Sequence, residues 1–172
     1  MTSSRTLPIF VVPYDPVWPH LFLDEKQRIE AAIHQYISAI EHVGSTAVPG
    51  LASKPVIDIL IGVHDLSDAP FFIPPLLTLG YVYIPELELD LPERRYLQKI
   101  SAGAHTHHLH IVEPDTQFFI DHIRFRDILR AHPELAHAYV ELKQTLAKKY
   151  RYDRAAYTDA KSSFIQKVLL TH

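Results

Sequence analysis

The chain has 172 residues, which suits one domain with its own core and is short for two domains of ordinary size. Hydrophobic residues make up 47% of it and charged residues 22%, and a net charge of −3 excludes a global basic field that would draw it onto nucleic acid or anionic membranes. Because cysteine is absent, disulfide frameworks and thiolate zinc sites are excluded, and the 12 histidines are the available soft ligands.

The N-terminal apolar run, Leu7–Val12, contains a proline and is too short for a signal core or a membrane span. No internal repeat or low-complexity linker interrupts the chain, and only 5 glycines are present to form a hinge. We therefore expect a single domain over residues 1–172, in a cytoplasmic protein without membrane contact.

The first half of the chain predicts one helix followed by buried strands. Apolar residues at helical spacing from Trp18 onward predict an amphipathic helix that ends near Ile37. Ile40–Val43 and Val56–Val63 have the composition of buried strands, and the second is apolar on both faces, as in the middle of a covered sheet. A short helix is expected directly after Gly44-Ser45.

The middle of the chain predicts one helix and three more strands. Asp65 or Ser67 could cap a helix that reaches Leu79, although three prolines weaken that prediction. The three further strands are predicted at Gly80–Ile84, Tyr96–Ser101 and Thr106–Glu113. The acidic insert Pro85–Glu93 is expected to be exposed.

The C-terminal third is predicted to be helical. One helix carries an apolar face from Phe118 to Leu129, Pro133 opens the next, and Thr158 is a plausible N-cap for the last. Together the elements predict an α/β (α+β) fold with a mixed sheet of about five strands flanked by helices.

The segment from Glu41 to Val63 carries the strongest functional signal. Asp58 lies inside an apolar strand, where a carboxylate is costly to bury unless a metal or a hydrogen-bond donor pairs with it. Before that strand, the backbone N–H groups at Gly44-Ser45 and the Ser45 hydroxyl could hold a phosphate. A phosphate cradle beside a metal-ready carboxylate suggests phosphoryl or nucleotidyl chemistry. The structural alternative is a buried aspartate satisfied by the backbone or by an arginine.

Histidines supply further candidate metal ligands. His108 and His110 alternate on a strand, so their side chains leave one face about 6–7 Å apart. With Asp58 they would form a two-histidine, one-carboxylate set, which suits Mn, Fe, Ni or Zn better than Mg. His42 could be a fourth ligand or a supporting partner. The alternative is a structural role for each histidine, and His105 and His107 are assigned to the loop or to the opposite face.

Basic residues supply candidate phosphate ligands. Lys54 precedes the strand that bears Asp58, where its ammonium could meet a triphosphate. Arg126 is a further candidate, since a guanidinium group binds phosphate oxygens in a bidentate fork, and Lys161 is another. Other candidates are Arg94, Arg95 and Arg124. Surface ion pairs are the alternative, and Arg124 has the i,i+3 spacing to pair with Asp127.

Several short motifs together resemble the GrpB family, which belongs to the DNA polymerase beta-like nucleotidyltransferase superfamily. They are His42-Val-Gly-Ser-Thr-Ala-Val-Pro-Gly-Leu-Ala, Lys54-Pro, Ile57-Asp-Ile, His108-Leu-His110, Phe125-Arg-Asp and Tyr157-Thr-x-x-Lys161. The resemblance runs from about Val11 to Leu169 and implies a nucleotidyltransferase fold. A similar domain is fused to dephospho-CoA kinase in some bacteria. The superfamily usually places a second acid where this chain has Leu60, which puts the standard two-metal mechanism in doubt.

The favoured hypothesis is a metal-dependent nucleotidyltransferase that acts on a nucleoside triphosphate and a small-molecule acceptor. Gly44 and Ser45 would hold the phosphates, and Asp58 would place a divalent metal, Mg or Mn, with Zn, Ni or Fe possible through the histidines. Asp58 and Ser45 are the predicted catalytic residues, Ser45 through phosphate contact and not as a nucleophile. No extended nucleic-acid groove is expected. Two alternatives are a non-catalytic nucleotide- and metal-binding module and a metal-dependent hydrolase of a phosphorylated metabolite.

Overall fold

The structure is a computed structural model that describes residues 8–172, and its centre is one five-stranded sheet. The strands are β1 (Ile37–Val43), β2 (Ile57–Val63), β3 (Tyr81–Tyr83), β4 (Arg95–Ser101) and β5 (Ala104–Val112). Their order across the sheet is β1-β2-β5-β4-β3, with β2 and β5 parallel and the other neighbours antiparallel. The predicted mixed sheet of about five strands is therefore confirmed.

Helices flank the sheet and make up the C-terminal third, as predicted. They are α1 (Trp18–Ile33), α2 (Ala69–Thr78), α3 (Gln117–Ala131), α4 (Pro133–Lys149), α5 (Arg154–Asp159) and α6 (Ser162–Thr171). Within residues 8–172, no helix has both the length and the hydrophobicity needed to cross a bilayer.

Two predicted helix ends are wrong. The first helix stops at Ile33 and not near Ile37, because a 3-10 turn follows it and Ile37 already begins β1. Thr158 lies inside α5 and does not cap the last helix. The side chain that caps α5 is Asp153, which accepts a hydrogen bond from the Ala156 amide at 3.0 Å.

The acidic insert after β3 is anchored to the sheet and is not uniformly exposed. A 3-10 turn covers Pro85–Glu88, and the Tyr83 hydroxyl donates a hydrogen bond to Glu88. Arg95 of β4 lies 3.2 Å from the same carboxylate. The insert therefore closes against the strands on either side of it.

One face of the sheet, which we call the α1 face, carries the main apolar core. Ile59 and Ile61 of β2 point to this face and pack with side chains of α1 and α2, among them Trp18, Ile29 and Phe72. These residues are almost completely buried. Burial of each such side chain contributes about 1.5–3 kcal/mol, so this face supplies most of the drive to fold.

The opposite face, which we call the α3 face, is apolar at one end and polar at the other. Leu60 packs with Val43 and Val112 beneath three apolar residues of α3, Phe118, Phe119 and Ile123, and is completely buried. Two positions earlier on the same face, the Asp58 side chain is 29% exposed. The position of the missing second acid is thus sealed under a helix, whereas Asp58 lies at an open edge.

We predict that Leu60→Asp lowers the free energy of unfolding by about 4 kcal/mol or more at pH 7, since it buries a charge in an apolar cluster and leaves space unfilled. Leu60→Asn is the matched control, because it has the same shape without the charge and should cost less. Urea denaturation measures both. If Leu60→Asp kept wild-type stability and bound magnesium, this position would be open to solvent and ions.

Candidate functional site

The strand register brings Asp58, His108 and His110 to one point on the α3 face. In the parallel pairing of β2 with β5, Asp58 lies opposite His108, and Leu60 lies opposite His110. The Nδ1 atom of His108 is 3.0 Å from Asp58 Oδ1, and the Nε2 atom of His110 is 3.8 Å from the same oxygen. The predicted convergence of these three side chains is present.

Gly44 lies directly against the Asp58 carboxylate. Its φ of +72° is in the left-handed region, and a Cβ at this position would lie 2.6 Å from Asp58 Oδ2. The chain then enters the expected short helix as a 3-10 turn over Ser45–Ala47. Ser45 interacts with the hydroxyl of Tyr139 in α4. Burial raises the pKa of this tyrosine. A glycine is therefore required here for contact between this loop and the carboxylate.

His105 also belongs to this cluster, contrary to the prediction that placed it in the loop or on the opposite face. The ladder between β4 and β5 shifts by one residue: Lys99 pairs with His107, but Ile100 pairs with His105. This bulge reverses the alternation and turns His105 toward His108, with 3.0 Å between His105 Nδ1 and His108 Nε2. His107 stays on the α1 face near Glu25, as predicted.

His42 lies on the α1 face and is not a ligand beside Asp58, which corrects the prediction. It pairs with Ile59, its ring stacks on Phe22 of α1 at 4.8 Å, and its Nε2 atom is 2.9 Å from Thr46 Oγ1. Burial lowers the pKa of His42 to about 4, so the ring is neutral at pH 7. Its role is structural: it ties the turn after Gly44 to the core.

Arg126 is also misassigned as a phosphate ligand. Its guanidinium contacts Glu41 at 2.7 Å, Asp127 at 2.8 Å and the carbonyl oxygen of His42 at 3.1 Å. These bonds dock α3 on β1. Burial alone would lower the pKa of Arg126, but the two carboxylates outweigh this effect and raise it. The predicted Arg124–Asp127 pair is wrong as well, because Arg124 donates to the carbonyl oxygen of Leu169.

Three lysines from separate parts of the chain are close enough for their charges to interact, and we call Lys54, Lys143 and Lys161 the lysine cluster. The charge of Asp58 acts on Lys54 and Lys161. The Nζ atoms of Lys54 and Lys161 lie 5.0 and 4.5 Å from the centroid of the Tyr157 ring. Lys143 is only 2% exposed, donates to the carbonyl oxygen of Ala52 at 2.6 Å, and lies over the Tyr139 ring. None of the three forms an ion pair within residues 8–172.

Burial and mutual repulsion weaken the basicity of the lysine cluster. Burial, with the charges of Lys161 and Lys54, lowers the pKa of Lys143 to about 7. The pKa of Lys161 falls to about 8, for the same reasons and in spite of Asp58. Sequence analysis named Lys54 and Lys161 but missed Lys143. The sequence feature that could have identified Lys143 is its position on the apolar face of α4, at helical spacing from Tyr139 and Leu146.

Asp58 is the negative charge at the centre of this group. Burial alone would raise its pKa, but the hydrogen bond from His108 and the nearby His110 ring hold that pKa well below its usual range. Burial lowers the pKa of His110 to about 4, so its ring is neutral at pH 7. We use the name Asp58 cleft for the region of the α3 face formed by Asp58, Gly44, Ser45, His105, His108 and the lysine cluster.

The side chains of the cleft do not fit a preformed metal centre. Both ring nitrogens of His108 are used by protein groups, Nδ1 by Asp58 and Nε2 by His105, so neither offers a free lone pair to a cation. Within residues 8–172, no group of three or more His, Cys, Asp or Glu side chains is arranged to hold a metal ion. The metal expected from the sequence stays a prediction, and the arrangement present is a hydrogen-bonded chain.

Known proteins are similar to this chain in sequence and in fold. The profile of the family described as GrpB protein matches residues 8–170. The glutamate-rich protein GrpB of Alkalihalophilus pseudofirmus is 35% identical over 163 residues, which are 94% of each chain. A dephospho-CoA kinase of Mycolicibacterium paratuberculosis is 34% identical over 102 residues, which are 58% of this chain and 25% of that one.

Two solved structures are similar to the fold. The conserved protein GrpB from Enterococcus faecalis superposes with a TM-score of 0.84 at 35% identity, over 92% of this chain and 94% of that one. Terminal uridylyl transferase 4 from Trypanosoma brucei, solved with bound CTP, has a TM-score of 0.50 at 12% identity, over 87% of this chain and 50% of that one. The second likeness extends to the fold alone and confirms the predicted nucleotidyltransferase-like architecture.

Gly44→Ala should destabilise the protein by about 2–3 kcal/mol, because the left-handed backbone disfavours a side chain and the new Cβ clashes with Asp58. Gly50→Ala is the matched control: φ is +78°, but a Cβ there meets no atom within 4 Å. We expect it to cost about 1 kcal/mol, the backbone effect alone. Chemical denaturation measures the difference. Equal losses in the two variants would mean that Gly44 does not support the carboxylate.

Proposed function

This chain belongs to the GrpB family, and we propose that it binds a nucleoside triphosphate in the Asp58 cleft and transfers its nucleotidyl group to a small-molecule acceptor. The observation that carries the proposal is the lysine cluster. Buried ammonium groups that lack carboxylate partners among residues 8–172 are costly unless an anion joins them. A triphosphate carries enough negative charge to complement all three.

The fold adds support to this choice of ligand. The uridylyl transferase that shares the fold was solved with CTP, which is itself a nucleoside triphosphate. At 12% identity the likeness does not extend to individual residues, so the assignment of a nucleotide to this chain rests on its own cleft. Here the Gly44 turn lies against the Asp58 carboxylate, and the charge of that carboxylate acts on Lys54 and Lys161.

Each part of the cleft has a distinct role in the proposed reaction. The turn at Gly44 and Ser45 contacts the phosphates, and Lys54 and Lys161 neutralise the negative charge that moves to the leaving pyrophosphate. Such preorganised charge stabilises a transition state more than it stabilises the bound substrate, because it is aimed at charge that develops during transfer. Lys143, the most buried of the three lysines, adds positive potential to the cluster.

A second candidate function is a non-catalytic nucleotide-binding module. The observation in its favour is Leu60, which occupies the position of the second acid and is sealed beneath α3. Pyrophosphate release separates the two candidates. The enzyme releases pyrophosphate from CTP or ATP when an acceptor from a metabolite panel is present, whereas the module binds the nucleotide and returns it unchanged with every acceptor.

Lys161→Met should weaken CTP or ATP binding about tenfold, because it removes one charge-assisted contact and keeps the apolar stem. Lys167→Met is the control, since Lys167 lies on the exposed side of α6, the helix that Lys161 directly precedes, and should leave the affinity unchanged. Calorimetric titration at fixed ionic strength measures both. Equal affinities in the two variants would remove Lys161 from the site.

Nucleotide binding near pH 8 should be accompanied by proton uptake. In the free protein the pKa values of Lys143 and Lys161 are lowered to about 7 and about 8, so both amines are partly neutral there. A bound polyphosphate raises these pKa values, so protons enter on binding, and affinity falls as pH rises through 7 to 9. Titration in buffers of different ionisation enthalpy gives the proton count. Proton release, or no exchange, would contradict the placement of phosphate at these lysines.

A further inference from the structure

Three side chains of the Asp58 cleft form a continuous hydrogen-bonded chain. The Nδ1 atom of His108 lies 3.0 Å from Asp58 Oδ1, and its Nε2 atom lies 3.0 Å from His105 Nδ1. The chain begins at Asp58, at the open end of the α3 face, and ends at His105, which is partly exposed. It resembles a base, a linker and an orienting carboxylate arranged in series.

The ionised carboxylate fixes the direction of every bond in this chain. A carboxylate can only accept, so His108 must donate from Nδ1, and in the neutral form of the His108 ring the lone pair is then at Nε2. His105 must therefore donate from Nδ1, which leaves the lone pair of its own ring at Nε2. The free end of the chain is thus a proton acceptor.

We propose that His105 accepts the proton of the attacking hydroxyl in nucleotidyl transfer, held in the required tautomer by His108 and Asp58. The proposal rests on the proposed function. His105 would be the catalytic residue, and His108 and Asp58 would be positioning residues, because they act through it.

The reaction balances without a further reagent. The hydroxyl oxygen of the acceptor forms a bond to the α-phosphorus of the nucleotide, and its proton passes to His105 Nε2. The bond from the α-phosphorus to the bridging oxygen breaks, and its electron pair leaves with pyrophosphate. The resulting imidazolium of His105 is stabilised through His108 by the charge of Asp58.

The surroundings of His105 match this role. Burial, together with His108 and the charges of Arg154 and Lys54, lowers its pKa to about 4, so the ring is neutral at pH 7. A polyphosphate bound at the lysine cluster would offset the two cationic side chains and raise the basicity of His105 when substrate is present. His110 approaches Asp58 from the other side and does not contact His105.

NMR tests the chain without any assumption about turnover. Two-bond nitrogen–proton spectra of the wild-type protein should show both His105 and His108 in the Nδ1–H tautomer at pH 7. Asp58→Asn should shift His108 toward the Nε2–H tautomer, because an amide can donate where the carboxylate could only accept. Nε2–H tautomers in the wild type, or a stoichiometric metal bound to His108 in elemental analysis, would overturn the relay.

Turnover tests the catalytic role. His105→Ala should lower kcat for pyrophosphate release from CTP by about 10²-fold or more with KM within about twofold, and added imidazole should restore part of the rate. His107→Ala is the matched control, since it lies on the same strand but faces the opposite side of the sheet, and it should keep the wild-type rate. Wild-type turnover in His105→Ala would overturn the assignment.

The two proposals fail in different ways. If the wild-type protein does not bind CTP but both histidines have the expected tautomers, the proposed function and the catalytic role would be overturned. The hydrogen-bonded chain would stand. Nucleotide binding and turnover with the opposite tautomers would keep the proposed function and overturn the relay.

Discussion

The carboxylate of Asp58, carried by a strand in the middle of a sheet, is the constraint on which the rest of the cleft depends. Its strand is hydrogen-bonded on both edges, to β1 and to β5, so the backbone is satisfied and only side chains can compensate the charge. His108 does so at 3.0 Å, and Gly44 can lie against the other oxygen because it has no Cβ. A carboxylate left without these neighbours would cost several kcal/mol, so the residue types on the adjacent segments follow from it.

Two layers contribute different chemistry to the cleft. The sheet supplies the carboxylate and the imidazoles, whose order is set by strand register. The helical C-terminal third supplies Lys143, Lys161 and the rings of Tyr139 and Tyr157 that hold the lysines in place. Because α3 is docked on β1 by Arg126, it seals Leu60 and leaves only the Asp58 end of this face open.

The sheet and the main site residues could be predicted because they follow from local pattern. Apolar strand runs located four of the five strands within about one or two residues, and alternation placed Asp58, His108 and His110 on one face. The errors share one cause, which is dependence on tertiary pairing. His105 faces the cleft only because of a bulge opposite Lys99, and Arg126 is committed to a carboxylate 85 positions away in sequence. His42 faces away from Asp58 because the register pairs it with Ile59, and this register is not specified by either strand alone.

The contrast between two buried lysines supports the proposal that the lysine cluster binds an anion. On the α1 face, Lys99 meets the buried carboxylate of Glu25, which also accepts from the Tyr81 hydroxyl, so the charge is compensated within the protein. Lys143 is buried more deeply but is given a carbonyl oxygen and two other ammonium groups as neighbours. A lysine selected for stability alone would resemble Lys99, because an uncompensated cation lowers stability. Under the proposed function, an anion bound at the cluster would relieve this repulsion, and because it binds only the folded state it would stabilise the fold by linkage.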